Sequence, residues 1–387
     1  MALLMPNNAL FGLAIQKSGA GSQYTKMVAG FEVPVTNDNS FFYYPMTDLS
    51  AGAVKLQDVL PPEIGGRALP SGAYVSGAWW EGGVSLIPRL DNRFGWILLA
   101  AMGEVSTISD VTIANVIAGL PAGTTPNCYT HVFTFDASDQ YWVPYCTFRR
   151  LLPHPTAANE LGEVAQDGRV RTLTIAGAGN APVRADLDVI ARQYQGDYDF
   201  EFDPSWTATY DDLDDFAVAN CDGHFKVEDT DFDVTAASVT IVNQLLPPAQ
   251  AMKIGSIDPI DFPVLGRVAV VTATILVSDY GLYVSTFSGA ANDGATSANT
   301  TCIVYKADVD VMFASQTYIP SVGAGTEPYR IRIVSNTAQD NVAWQARPIR
   351  VQPNRPIVLQ VTANILATSS GDPLRIYIQN DTTGYQL

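Results

Sequence analysis

The chain has 387 residues and a formal net charge of −17, and only 16% of its residues are charged, against about 25% in average globular chains. Its length allows two domains or one large β domain. An acidic excess of this size excludes a nucleic-acid-binding module, which needs Lys and Arg clustered on one face. The low share of charged residues predicts a surface that is neutral and polar or that partner subunits cover.

No targeting or membrane segment is predicted. The N-terminus lacks the basic stretch of a signal peptide, and no uninterrupted run of about 18 apolar residues indicates a transmembrane helix. We therefore expect folding in a cytoplasm, with no membrane partner and no cofactor. The cysteines are widely spaced and form no CxxC pair, so we expect reduced, mostly buried thiols rather than disulfides or a metal site: Cys128, Cys146, Cys221 and Cys302.

One segment of the chain predicts a helix. It follows a loop-rich segment at residues 30–75 and a strand that contains Trp79. The helix is predicted because apolar residues fall at i, i+3, i+4 and i+7, an apolar stripe that needs a sheet to pack on: Phe94, Ile97, Leu98 and Ala101. Gly103 then occupies the position of a helix C-cap.

Most of the remaining chain predicts strands. Residues 129–135 and 169–175 alternate polar with apolar side chains, and a turn-forming stretch separates the second run from another at 183–190. The last two runs predict a long hairpin whose second strand has Arg184, Asp186 and Asp188 on one face. Further strands are predicted at 233–242, 266–277, 301–313, 329–334, 355–366 and 373–379.

The second half of the chain repeats features of the first at an offset of 186 residues, as from 60 to 246. The matching positions are Leu60-Pro61-Pro62 with Leu246-Pro247-Pro248, Phe94-Gly95 with Tyr280-Gly281, Gly103 with Gly289, Arg169 with Arg355, and Leu173 with Leu359. A constant offset over more than a hundred residues indicates two copies of one fold. The alternative is a coincidence between two β-rich halves.

Between the copies lies the most acidic stretch of the chain, at residues 197–232. Acids alternate there with aromatic residues from Asp197 to Asp203, which is typical of a strand with a solvated or interface-forming acidic face. A weak cation site and paired catalytic carboxylates are the alternatives. The alternation lacks the glycine that an EF-hand loop needs at its sixth position, and it points all the carboxylates the same way.

No catalytic or cofactor-binding motif is present. His131, His154 and His224 have no metal-ligand spacing, and we expect them to lie at the surface or to be hydrogen-bonded inside the protein. Gly177-Ala-Gly179 resembles the start of a dinucleotide-binding fingerprint, but it lies in a predicted hairpin turn. Trp79 and Trp80 suggest a carbohydrate platform, yet adjacent residues of a strand point to opposite faces.

The opening residues, Met1-Ala-Leu-Leu-Met-Pro-Asn-Asn-Ala-Leu, resemble the start of tail tube proteins of long, non-contractile-tailed bacteriophages. The order of loop, Trp79 strand, helix and long hairpin is also similar. The resemblance implies a mainly β fold with two tandem tube-type sandwich or barrel domains, each with one short flanking helix. The first domain would cover residues 1–196 and the second 233–387, joined by the acidic connection at 197–232.

The same resemblance implies a structural virion protein rather than an enzyme. Rings of subunits would stack into a hollow tube through which genomic DNA passes, with Asp186 and Asp188 as candidate lumen-facing acids. Single-domain members form hexameric rings, so a doubled chain implies a homotrimeric ring. The further partners implied are a tape measure protein in the lumen and terminator and distal tail proteins at the ends. The alternatives are another virion β protein, such as a capsid decoration or baseplate component, and a carbohydrate-binding or carbohydrate-hydrolysing sandwich.

Overall fold

A computed structural model describes most of the chain. The residues described are 9–16, 42–61, 69, 72–91, 93–119, 123, 125–135, 142–154, 161–198, 215–219, 222–278, 280–288, 304–320, 322, 327–336 and 338–385. Everything said below about the structure concerns these residues. The N-terminal octet, residues 199–214 and 220–221 of the acidic stretch, Pro62 and Gly289 lie outside them.

The described residues are mainly β strands, as predicted. In the first half of the chain these are β1 Leu10–Ile15, β2 Phe42–Tyr44, β3 Met46–Leu49, β4 Gly52–Val59, β5 Ala73–Leu86, β6 Gly103–Ile108, β7 Tyr129–Phe135, β8 Cys146–Leu152, β9 Leu161–Ala178 and β10 Arg184–Tyr198. The rest are β11 Ala217–Val218, β12 His224–Val227, β13 Thr230–Asp231, β14 Val234–Leu245, β15 Val264–Leu276, β16 Lys306–Ala307, β17 Val309–Tyr318, β18 Pro328–Ser335, β19 Val342–Ala346, β20 Val358–Ile365 and β21 Leu374–Asn380.

Four short helices accompany these strands in the part of the chain that the structure describes. They are α1 Phe94–Met102, α2 Ile113–Ile117, α3 Pro248–Ala251 and α4 Gly281–Ser288. The predicted helix is α1, and the helix expected in the second copy is α4. Eight of the nine residues of α1 are buried, so the helix lies inside the protein instead of presenting one apolar stripe. Gly103 ends it at φ 111°, and its N–H donates to the carbonyl of Leu99.

The strands form two open antiparallel sheets that pack as a sandwich. Sheet I has 13 strands, in the order β16-β19-β20-β15-β14-β9-β10-β5-β3, with β4 beside β5 and with β8, β1 and β2 continuing from β9. Sheet II has 8 strands, in the order β13-β12-β17-β18-β21-β7-β6, with β11 beside β17. The expectation of a mainly β sandwich is confirmed.

One apolar core lies between the two sheets. Its strands alternate buried and partly exposed residues, as in β14, where Ala237, Val239 and Ile241 point inward. The rings of Phe225 in sheet II and Trp344 in sheet I meet edge to face, 6.2 Å apart. Since both sheets take strands from both halves of the chain, the halves share one core. The boundaries 1–196 and 233–387 stay a prediction.

The long hairpin is confirmed and is longer than predicted. β9 has 18 residues and β10 has 15, whereas the alternation predicted strands over 169–175 and 183–190. The extra length comes from residues 161–170, where nearly every side chain is buried, so this stretch shows no alternation of polar and apolar residues. The strand expected at 301–313 was placed too early, since β17 covers Val309–Tyr318.

Candidate assembly interface

Sheet I contains the same four-strand unit twice. In the first half the order is β4-β5-β10-β9, and in the second it is β14-β15-β20-β19. All neighbours within each unit are antiparallel. The hairpin ends also correspond, because the N–H of Leu60 donates to the carbonyl of Gly72 and that of Leu246 to the carbonyl of Pro263. The repeat therefore extends from the sequence into the strand order.

One part of the predicted repeat is wrong. The matches of Arg169 with Arg355 and of Leu173 with Leu359 equate β9 with the region of β20. In the structure β20 lies next to β15, and the strand next to β5 is β10. β10 is thus the counterpart of β20, and β9 is the counterpart of β19. Alternating Leu, Thr and Val residues fit any inner strand of this sheet, so the match carried no information about neighbours.

The two units are joined inside the chain by β9 and β14. Seven residue pairs connect them, from Ala178 opposite Ala236 to Thr172 opposite Val242. On one face the hydroxyls of Thr174 and Thr240 are 3.0 Å apart. The buried amide of Asn243 donates from Nδ2 to the carbonyl of Val170 at 2.9 Å. This joint shows how one unit is added to the next.

The outer ends of the two units are strand edges. Among the described residues, β4 pairs only with β5, and its residues beyond Val54 are all exposed. On β19 the far edge is covered only at its start, by β16 and by the carbonyl of Tyr305, which accepts from the N–H of Trp344. The N–H of Arg347 points the other way, to Gln360. Ala346 lies between Trp344 and Arg347. Its N–H faces the open edge, as that of Trp344 does, because N–H directions alternate along a strand.

The face of sheet I that points away from the core carries mostly small side chains and is nearly neutral in charge. Residues directly opposite one another share a face, and one row across the sheet is Ser85, Asp186, Thr174, Thr240, Val270 and Asn364. A second row is Asp188, Thr172, Val242 and Val268. Hydroxyl, methyl and amide groups cover most of this face, and its charges are concentrated on the first half.

Asp186 and Asp188 lie on this face, as the alternation predicted, but their surroundings differ. Asp188 forms two hydrogen bonds with the guanidinium of Arg171, at 2.7 and 2.9 Å, and Arg171 also contacts Glu81 at 3.3 Å. The bond to Asp188 raises the pKa of Arg171 further. Among the described residues, Asp186 accepts only from the hydroxyl of Ser85, at 2.5 Å. Asp186 is therefore the acid of the pair that keeps an uncompensated negative charge.

The lower part of the same face is covered by the connection 246–263 of the second half. Ala251 and Phe262 bury Trp79 and Ile190 there. Trp80 points into the core and donates from Nε1 to Glu163 at 2.9 Å. The two tryptophans thus lie on opposite faces, as predicted, and form no common platform.

The histidines and cysteines of the described part are structural. His131 is buried between Thr107 and Asn380, with ring nitrogens 2.9 and 2.8 Å from them. Burial lowers its pKa to about 4, so the ring is neutral. Cys128 and Cys146 are buried free thiols, and burial raises their pKa to about 12. Cys221 and Cys302 lie outside the described residues. No group of three or more potential metal ligands occurs among those described.

Half of the acidic stretch 197–232 is described. Asp197 is in the last part of β10, and residues 199–214 lie outside the described residues. Asp215 is buried, and its Oδ2 accepts from the N–H of Asp91 at 2.9 Å. Burial, together with the charge of Asp91, raises the pKa of Asp215 to about 7. No sequence pattern distinguished this carboxyl from its acidic neighbours.

Comparison with known families supports these observations. The family described as phage tail tube protein matches residues 36–346, a range that includes both four-strand units apart from β20. No curated protein matches the chain. No helix of the described residues has the length and apolar character needed to span a membrane.

Proposed function

The chain belongs to the phage tail tube protein family, and we propose that it self-assembles into rings that stack into a hollow tail tube. The family supports a structural role in the virion tail. The observation that carries the proposal is the doubled four-strand unit. Ring assembly needs a pairing of strands between one unit and the next, and the chain already contains one such pairing, between β9 and β14.

Ring closure follows from the repeat. β4, whose outer edge no described strand covers, is the counterpart of β14, and β19, whose outer edge is partly covered, is the counterpart of β9. An exposed strand edge is a ready template for pairing with another chain. Pairing β19 of one copy with β4 of the next would repeat the inner joint between copies. Heterologous contacts of this kind close into rings when the rotation permits.

The same repeat supports three chains per ring. Two units per chain give six units in a trimer, the number that single-domain relatives reach with six chains according to the resemblance stated above. With four strands in each unit, the closed sheet would contain twenty-four strands. Sheet I then forms the wall of the channel. Its face that points away from the core, with small side chains and little net charge, lines the lumen.

This lining suits a passage for DNA. Its described cations are few, and Arg171 is held between Asp188 and Glu81. A surface with few free cations offers few binding sites to phosphates, and its acidic groups repel them. In this proposal genomic DNA passes without specific binding, a tape measure protein occupies the lumen during assembly in the host cytoplasm, and terminator and distal tail proteins bind the two ends.

Purified protein tests the proposal directly. We expect negative-stain microscopy to show hollow tubes roughly 100 Å wide, a width implied by the family resemblance, and averaged end views to show three-fold symmetry with six similar units. Native mass spectrometry of single rings should give three copies of the chain. Six copies per ring would contradict the stoichiometry, and discrete trimers that never stack would contradict the tube.

A further inference from the structure

An exposed loop with three arginines connects β19 to β20. Arg347, Arg350 and Arg355 are all exposed, and Val351 between them is 72% exposed. In the part of the chain that the structure describes, none of the three side chains forms an ion pair. The guanidinium of Arg347 donates only to the side-chain amide oxygen of Gln360, at 3.4 Å. A chain with a net charge of −17 thus keeps three uncompensated cations in one short loop.

The arginine loop, residues 347–357, is not required to close its hairpin. Its counterpart in the first half, between β9 and β10, consists of residues 179–183 and contains no arginine. That short turn is held by a bond from the N–H of Val183 to the carbonyl of Ala217. The second half therefore has a longer and positively charged connection at the corresponding end of the sheet.

Four acids lie at the opposite end of the same half. Glu228 and Asp229 form the turn between β12 and β13, Asp308 follows β16, and Asp340 precedes β19. Burial and the neighbouring acids raise the pKa of both Glu228 and Asp308. We name these four residues the acidic end. Lys226 and Lys306 are close in sequence, but neither forms an ion pair with them among the described residues.

The arginine loop and the acidic end are separated along one strand direction. Asp340 comes just before β19 and Arg347 just after it. The five residues of this strand span roughly 17 Å at about 3.3 Å per residue. Opposite charges at opposite ends of a strand cannot pair within a chain. They can pair between two copies that are displaced along the strand direction. Such a head-to-tail contact repeats without closing, as a stack requires.

We propose that the arginine loop of one copy binds the acidic end of a second copy in the adjacent ring. This inference rests on the proposed function, since it names the contact by which rings stack. A second copy fits better than a nucleic acid because the chain itself supplies the complementary acids, whereas its overall charge repels phosphates. The contact adds specificity and speed to stacking through charge complementarity.

A charge-swap experiment tests the contact. The double variant Arg350→Glu/Arg355→Glu should raise the protein concentration needed for tube formation on the order of tenfold, as expected for losing a few exposed ion pairs per chain. Glu228→Arg/Asp340→Arg should do the same. Combining all four substitutions should restore tubes, because the charges are exchanged but remain complementary. Assembly of the parent protein should weaken with added salt.

The control is Lys253→Glu/Arg375→Glu, which changes the net charge equally at two exposed positions outside the arginine loop and the acidic end, although Arg375 also contacts Asp372 at 3.0 Å. It should form tubes at the parental concentration. Circular dichroism and native mass spectrometry show whether each variant is folded and forms rings. Tubes of the double arginine variant at the parental concentration would overturn the proposal. So would failure of the four-fold variant to regain tubes although its rings form.

The outcomes separate the stacking contact from the proposed function. If the parent protein forms no rings or tubes, the proposed function fails. If the parent forms tubes and the arginine variant forms them equally well, only the stacking contact fails. Gel-shift measurement with duplex DNA adds a last outcome. DNA binding by the parent that Arg350→Glu/Arg355→Glu removes, with unchanged tube formation, would assign the loop to nucleic acid and overturn the proposal.

Discussion

Asp215 shows how one residue connects the acidic stretch to the folded protein. Its carboxylate accepts from the N–H of Asp91 in the turn before α1, and its Oδ1 has no hydrogen-bond partner among the described residues. The cationic Arg89 nearby lowers the pKa, but burial and the charge of Asp91 outweigh it. The folded state therefore binds a proton at Asp215 more tightly than the unfolded chain does.

A pH dependence follows at this residue. Because the pKa rises from 3.8 to about 7 on folding, the stability that the protonated carboxyl contributes is fully present below pH 3.8 and is lost as pH rises toward 7. We expect Asp215→Asn to be more stable than the parent at pH 8 and to lose this advantage toward pH 4. Thermal melts of both proteins across this range measure the difference. A difference independent of pH would contradict the assignment.

Gly95 is required by a close contact rather than by its backbone conformation. A Cβ at this position would lie 2.1 Å from Cζ of Tyr385, whose ring packs edge to face against Trp96 and His131. We expect Gly95→Ala to lower the unfolding free energy by about 1–3 kcal/mol, as overpacking does. In the background Tyr385→Ala the same change should cost much less. Equal costs in both backgrounds, measured by denaturant unfolding, would exclude this contact as the cause.

At the scale of elements, the joint between β9 and β14 is a template for the contacts of free edges. Its features are a backbone ladder, a hydroxyl pair on the outer face and apolar residues on the core face. In the repeat, β4 corresponds to β14 and β19 corresponds to β9. In the described part of the chain, neither β4 nor β19 has a neighbour equivalent to the one that joins β9 and β14. A test should remove one backbone donor from an open edge and leave the rest of the strand intact.

Ala346 provides this test. Its N–H faces the open edge of β19, so proline there removes a donor without breaking a bond to β20. We expect Ala346→Pro to fold but to reduce ring formation strongly, while Ala346→Val, which keeps the N–H, forms rings like the parent. Native mass spectrometry reports the ring fraction and circular dichroism the fold. Rings of Ala346→Pro at the parental level would exclude this edge from ring closure.

At the scale of the whole molecule, the charges of sheet I decide what the proposed channel binds. Of the two acids of β10, Asp186 has no cationic partner among the described residues, whereas Asp188 is paired with Arg171. Substitution of Asp188 would therefore also release Arg171 and confuse the result. Asp186 is the better position for changing the charge of the face.

We expect Asp186→Lys to give tubes that bind duplex DNA at low salt, because it places a free cation on a face that has few. The binding should weaken steeply as salt is added, and phage carrying the variant should eject DNA more slowly. Glu104→Lys, an equal change at an exposed position of β6 in sheet II, serves as the control. Unchanged DNA binding and ejection in Asp186→Lys would remove this face from the channel.

The sequence by itself determined the kinds of element, and the two-domain duplication that it indicates stays a prediction. Period-two alternation predicted the strands β7, β14, β15, β18, β20 and β21 and the hairpin of β9 and β10, since half-buried strands need that pattern. It also placed Asp186 and Asp188 on one face, and the repeated Leu60 and Leu246 marked equivalent hairpin ends. The first residues of β9 were missed because a strand buried on both faces shows no alternation.

Only the tertiary structure decided which strands are neighbours. Alternation tells which side chains share a face but not which strand lies beside which, so it equated β9 with β20, although β10 is the counterpart. The pairing of Asp188 with Arg171, the burial of Asp215 against Asp91 and the opposite placement of the arginine loop and the acidic end all depend on distant segments. Such contacts arise from packing across the sheets, which no local pattern records.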